Sequence, residues 1–311
     1  MVELSEEFYS FNQYLRKQFG ERVQRISLDA GFNCPNLDGS LSEDGCSYCN
    51  NKGFSHYAGS LKSLEDQIRE SIEFYSKSAK ANKFIAYFQA FSNTNADIEV
   101  LKERYEVIRK FPQIVGLFIS TRCDCIDENK LKLISEYKKD YLVWLEYGLQ
   151  TTHDKILAAI NRNHTCKDFL KTLEQTRKFD INVGVHMILG LPDTTTDDIL
   201  LDARRLSSLD IQGIKLHSFH ILKDTPFHKL YESNKIKLLS RQEYVDILFQ
   251  FLQLIPKDMV VFRLSSSANP DYLVAPEWIN QKGKVIGELR IKFKEKGICQ
   301  GFLHENSSFK N

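Results

Sequence analysis

Six short runs rich in β-branched and aromatic residues recur along the chain, with helix-patterned segments between them. They are "VQRISLD" (23–29), "KFIAYFQAF" (83–91), "IVGLFIST" (114–121), "LVWLEYGLQ" (142–150), "INVGVHMILG" (181–190) and "GIKLHSFHI" (213–221). A shorter run, "MVVFRLS", follows at 259–265. In the intervening segments Leu61, Leu64, Ile68 and Ile72 share one helical face, as do Ile98, Leu101, Tyr105 and Ile108. Tyr244, Ile247, Phe251 and Leu254 form a similar stripe. Strands alternating with helices argue for βα units and a parallel sheet, hence an α/β fold. Six such units suit an open, partial (β/α)6 version of the eight-stranded barrel, whose βα loops carry the site. No low-complexity linker or internal repeat divides the chain, so one domain is expected over 1–311. Its barrel core would span about 23–232 and a C-terminal helical and strand extension about 233–311.

Composition narrows the class. The 311 residues suffice for a proper core, and 42% hydrophobic and 27% charged residues are ordinary for a soluble enzyme. A formal charge of +1 gives no whole-molecule footprint for nucleic acid, so no DNA partner is expected, although a local patch is allowed. The N-terminal "MVELSEEFYSFNQYLRKQFG" is charged and amphipathic, unlike a secretory signal, and no apolar run approaches the roughly 20 residues of a membrane span. Seven unevenly spaced cysteines fit reduced thiols in the cytoplasm better than a disulfide framework.

Three of those cysteines, Cys34, Cys46 and Cys49, lie on "CPNLDGSLSEDGCSYC" (34–49), the loop after the first strand. Pro35, Asp38, Gly39, Asp44 and Gly45 supply turn chemistry that folds the excursion back on itself. A structural zinc site would want a fourth ligand, for which His56 is the nearest candidate. A redox Cys-x-x-Cys would leave Cys34 idle. An iron–sulfur cluster held by three thiolates leaves one iron open for a substrate or cofactor. Elsewhere Cys123 and Cys125, on one face of the third strand, read as small packing residues, and Cys166 and Cys299 are isolated. Lys215 and His217 point to one face of the sixth strand and His220 to the other, so the first two reach a substrate if their face is the barrel interior. By themselves Gln150, Arg162 and His186 read as a strand-end polar residue, a helix-surface cation and a core histidine. The basic residues at 282, 284, 290, 292, 294 and 296 read as a solvated helix face.

The cysteine loop resembles the cluster loop of radical S-adenosylmethionine (SAM) enzymes, in the variant with a long first gap found in Elongator's catalytic subunit and its small relatives. Tyr48, just before the last cysteine, fits that pattern. The likeness continues through "STRCDCI" (120–126), "EYGLQTTHDKILAAINRNHT" (146–165), "VHMILGLPDTT" (185–195) and "KLHSFHILKDTPFHKLY" (215–231). "FRLSSSANPDYLVAPEW" (262–278) is similar to the small, single-domain Elongator-like branch in particular.

The resemblance implies a TIM-like partial barrel and a [4Fe–4S] cluster on Cys34, Cys46 and Cys49. It further implies SAM bound to the open iron and a 5′-deoxyadenosyl radical that takes hydrogen from substrate, with the cofactors carrying the hard chemistry. It assigns Gln150 to the ribose hydroxyls, Arg162 to the methionine carboxylate, His186 to the vicinity of the ribose, and Gly190 of "GLP" to the adenine. The family's Gly-Gly-Glu-like stretch is replaced by "QAFSNTN" (89–95), leaving Gln89, Asn93 or Thr94 for the methionine amine. A low-potential donor such as flavodoxin or ferredoxin is implied. The implied substrate is a tRNA wobble uridine, in a reaction of the transferase or lyase class. With 311 residues there is no room for the acetyltransferase domain of Elongator's subunit, so a radical change to an existing side chain is expected. A small-molecule substrate is the alternative, and a zinc-stabilised binding protein a second. At the barrel mouth Arg263 would hold a phosphate, with Tyr272 and Trp278 stacking an unpaired base.

Overall fold

The computed structural model describes residues 7–50 and 62–307; His56 and Leu61 lie outside them. The strands are β1 (Val23–Leu28), β2 (Lys83–Phe88), β3 (Ile114–Thr121), β4 (Leu142–Gln150), β5 (Asn182–Leu189), β6 (Gly213–Ser218), β7 (Ile221–Leu222), β8 (Val260–Arg263) and β9 (Leu273–Ala275). The helices are α1 (Phe11–Phe19), α2 (Leu64–Ser78), α3 (Ile98–Glu106), α4 (Glu128–Glu136), α5 (Asp154–Ala159), α6 (Cys166–Arg177), α7 (Thr196–Ser207), α8 (Pro226–Glu232), α9 (Arg241–Leu254), α10 (Lys282–Lys296) and α11 (Phe302–Ser307). Seven strands form one sheet in the order β1-β2-β3-β4-β5-β6-β8, each pair parallel, and β7 and β9 form a separate antiparallel pair. The sheet curls into a partial barrel, and the short run at 259–265 joins it as a seventh strand. Cys123 and Cys125 sit on a single 3-10 turn after β3 rather than on the strand, and both are buried.

Helix starts follow local chemistry. Thr165, Thr195 and Ser240 cap α6, α7 and α9 in reciprocal boxes with Asp168, Asp198 and Glu243. On the outer face of the sheet, Ile26, Phe84, Leu117, Leu145, Val185 and Leu216 pack against the helices in the main core. The inner face is filled by a second cluster containing Ile85, Phe118, Trp144, Val260 and Phe262, with Leu15 of α1. Val261 N–H donates to Tyr9 O at 2.9 Å, which ties the start of α1 to the open edge of the sheet.

The inner layer depends on missing side chains. A Cβ on Gly184 would lie 2.7 Å from Phe262, and one on Gly213 would lie 2.5 Å from Phe262 and 2.9 Å from Trp144. One on Gly116 would collide with Ile85. These glycines let three large rings share the barrel floor. Among the described residues no helix is long and apolar enough to cross a membrane.

Candidate active site

A strand's side-chain period of two puts a polar layer directly above that floor. Glu146 is fully buried there. Its Oε2 accepts from Tyr87 OH at 2.9 Å, Lys215 Nζ at 3.1 Å and His186 Nε2 at 2.6 Å, and Arg25 lies 3.7 Å from Oε1. Burial alone would push the Glu146 carboxyl up, but Lys215, His186 and Arg25 outweigh it and hold the group well below the usual range. Burial and Lys215 press His186 down to about 4 against the pull of Glu146, so its imidazole is neutral near pH 7. Lys215 also donates to Tyr87 OH at 2.5 Å.

Above this layer opens a cavity of about 180 Å³, on the face of the βα loops. Cys34, Cys46 and Cys49 all line it, together with Tyr48, Gln89, Arg122, Gln150, Arg162, His186, Lys215, His217 and Arg263. Among the described residues no aspartate or glutamate lines it.

The cysteine loop is held in place by its own turns and by the segment joining α5 to α6. Leu37 N and Asp38 N donate to Cys34 O at 2.7 and 3.1 Å, and Cys49 N donates to Cys46 O at 2.9 Å. Asn36 Nδ2 donates to Asn161 O at 2.6 Å and approaches Cys46 Sγ at 3.4 Å. Asn161 Nδ2 returns a bond to Gly45 O at 2.6 Å, and Ser47 N donates to Ile160 O at 3.0 Å. Gly45 adopts φ +73°, and a Cβ there would lie 2.8 Å from Leu37.

Two guanidinium groups flank the thiols. Arg162 places Nη1 3.5 Å from Cys46 Sγ and directs Nε and Nη2 to Gly148 O at 3.1 and 2.5 Å. Arg122 forks onto Asp124 at 2.8 and 2.6 Å and donates to Arg162 O at 2.8 Å, while its buried Nη1 has no partner among the described residues. Burial pushes the Cys34 and Cys49 thiols up, and Arg162 opposes the rise at both.

The described residues bring no three Cys, His, Asp or Glu side chains close enough to share one metal ion. Thiols that ring one cavity without converging on a point suit a multi-iron cluster, in which each thiolate takes a different iron. Positive charge from two arginines and an open, acid-free cavity beside the thiols also fit a cluster that binds a ligand.

The cavity gathers Gln150, Arg162, His186, Lys215, His217 and Arg263, and disperses the rest. Gln150 sits at φ +78° at the end of β4. Arg162 is buried rather than on the surface, with three of its five N–H groups turned to Gly148 O and Cys46 Sγ. Gly190 adopts φ +84° with Leu239 2.7 Å from its would-be Cβ, but it does not line the cavity. Gln89 lines it, whereas Asn93 and Thr94 are buried behind, bonded to Ser120 O at 2.9 Å and Thr121 Oγ1 at 2.6 Å. Tyr272 packs partly buried against the core. Trp278 is buried against Tyr244 with its indole N–H on Leu239 O at 3.0 Å, so it offers no face to a base. The reading of the sequence missed Glu146, Tyr87, Arg122 and Asn36. The visible signal for Glu146 was a lone acid inside the apolar run "LVWLEYGLQ".

Fold and site together define an enzyme class: the chain belongs to the radical SAM superfamily. Residues 43–206 match the Radical SAM superfamily and residues 211–295 the Radical_SAM C-terminal domain. It is similar to the uncharacterized protein YtqA of Bacillus subtilis, with 35% identity over 94% of this chain and 92% of that one. It is likewise similar to protein YhcC of Escherichia coli K12, with 33% identity over 93% of each. Among solved structures, archaeal Elp3 from Methanocaldococcus infernus superposes with a TM-score of 0.62 at 15% identity. That match covers 89% of this chain and 64% of that one, an Elongator-like relation at the level of fold.

Proposed function

We propose that the protein holds a [4Fe–4S] cluster on Cys34, Cys46 and Cys49, cleaves SAM reductively there, and alters the side chain of a tRNA wobble uridine. The observation that carries the cluster is the ring of three thiols around one acid-free cavity. When bound, the cluster and SAM supply a hydrogen-abstracting 5′-deoxyadenosyl radical. Arg162 offsets the charge of the Cys46 thiolate. The partnerless Nη1 of Arg122 suits the methionine carboxylate better than the engaged Arg162 does. Gln150 offers an amide acceptor and donor to the ribose, Gln89 an acceptor to the methionine amine, and His186 a neutral ring beside them. Support for tRNA comes from the resemblance of the motifs to Elongator's catalytic subunit, and Arg263 and His217 form the substrate side of the cavity. A flavodoxin or ferredoxin would deliver the electron.

Anaerobically reconstituted protein should be brown, carry iron and sulfide, and release 5′-deoxyadenosine when given SAM and dithionite. Cys34→Ala should lose the colour and the cleavage while keeping the fold; full iron and cleavage in that variant would overturn the ligand set. Nucleoside mass spectrometry of tRNA from cells with and without the gene tests the substrate. A wobble uridine change is expected, and an identical profile would transfer the reading to a small molecule.

A further inference from the structure

Four basic side chains line the cavity, and three of them are engaged: Arg122 by Asp124, Arg162 by Gly148 O and Cys46, and Lys215 by Glu146 and Tyr87. Arg263 is not. Among the described residues its half-buried guanidinium has no hydrogen-bond acceptor and no carboxylate within ion-pair distance, and feels the Glu146 charge only from further off. His217 and Ser267 line the same cavity and likewise bring polar side-chain atoms with no partner among the described residues. An unpaired charge in a half-buried place is costly to keep unless a ligand completes it.

The wall is also stiff. Tyr244 OH donates to Leu264 O at 2.7 Å, Ser266 N donates to Ser218 Oγ at 3.1 Å, and Ser266 Oγ donates to Ser218 O at 3.0 Å. Leu264 and Ser266, which flank Arg263 and Ser267 in the chain, are thereby fixed from behind, so a ligand need not order that backbone. The cations around them outnumber the single carboxylate, Glu146, that acts on Arg263. Burial, with Arg263 and Arg25 beside it, presses Lys282 down to about 8. Burial and its neighbours His186, Arg263 and Lys215 hold His217 neutral, so it can still offer one N–H.

We infer that Arg263, His217 and Ser267 form a cradle for a terminal oxyanion of the substrate, a carboxylate or a phosphate monoester, on the reacting unit itself. The inference rests on the radical SAM reading of this cavity and specifies the substrate it takes. A backbone phosphodiester is flanked by two sugars and would need room on both sides. A cavity of about 180 Å³ inside the barrel, already shared with the thiols, has room for a chain end. The phosphate that Arg263 was expected to hold is thus replaced by a group carried on the piece of substrate that enters.

The test uses holoprotein reconstituted with cluster and SAM, so that Arg122 is occupied. Its melting temperature is followed against acetate, inorganic phosphate, dimethyl phosphate and chloride at matched ionic strength. Acetate or phosphate should stabilise the wild type beyond chloride, and dimethyl phosphate should not. The better of the two identifies carboxylate or phosphate monoester. Arg263→Gln should weaken the response at least tenfold, Arg263→Lys should recover part of it, and Lys284→Gln, on the exposed face of α10, should leave it intact. An equal response to chloride, an undiminished response in Arg263→Gln, or equal binding of dimethyl phosphate would each overturn the cradle. Absence of SAM cleavage with the anion response retained would instead remove the radical reading.

Discussion

At the floor of the barrel, Phe118, Trp144 and Phe262 fill space left by Gly116, Gly184 and Gly213. Two residues further along the same strands the interior holds Tyr87, Glu146, His186 and Lys215. The floor is closely packed, with rings edge to face at 4.9 Å between Trp144 and Phe262. The polar layer is complete only on its lower side, where Glu146 gathers its donors. On its upper side it meets a cavity with Arg263 unpaired. Stability and function are therefore separated by one pleat of the sheet, and Glu146 is the joint between them.

The comparison is broken most severely at that joint. Glu146→Ala leaves the buried Lys215 amine and Arg25 without their carboxylate and should cost about 3–5 kcal/mol in urea unfolding. A loss under about 1 kcal/mol would show that water reaches this layer. Acid should sharpen the contrast next. His186 has a folded-state pKa of about 4 against 6.5 for a free imidazole, so the unfolded chain binds the extra proton first as pH falls. Stability is then whole above pH 6.5 and drops by roughly 3 kcal/mol as pH falls to about 4. His186→Asn should flatten that part of the profile in denaturant melts. The smallest effect belongs to the floor: Gly213→Ala should cost about 1–3 kcal/mol through overpacking, with SAM affinity by equilibrium dialysis unchanged. A Gly213→Ala protein of full stability would mean that the rings have slack.

Much of the fold was legible because strand and helix periods write themselves locally. The run at 142–150 coincides with β4, and those at 23–29 and 114–121 match β1 and β3 to within a residue. The seventh strand was less plain, since Val260–Arg263 is short and its place is set by pairing with β6 and by the hydrogen bond from Val261 to Tyr9, both long-range. At the site, residue types announced the cysteines, but partners could not be read. Arg162 looked like a surface cation because the sequence does not reveal that its helix-to-helix link turns inward onto Gly148. Trp278 looked available because nothing local shows that Tyr244 and Leu239 enclose it. Glu146 was visible as an oddity in an apolar strand, yet its three donors come from β2, β5 and β6, and only the curled sheet brings them together.

The reciprocal bonds between Asn36 and the Asn161 segment carry a consequence for how the protein lives with oxygen. The loop bearing the thiols is shaped by peptide and amide contacts that involve no metal. Small zinc domains are different, because metal binding and folding are one event and losing the ion unfolds the chain. If the proposed cluster sits on this loop, the amide contacts would keep the seat in shape when oxygen destroys the cluster, and new iron and sulfide could be installed in a chain that never unfolded. Damage would then be a matter of reloading rather than resynthesis, as the folded state foreseen for Cys34→Ala would show directly.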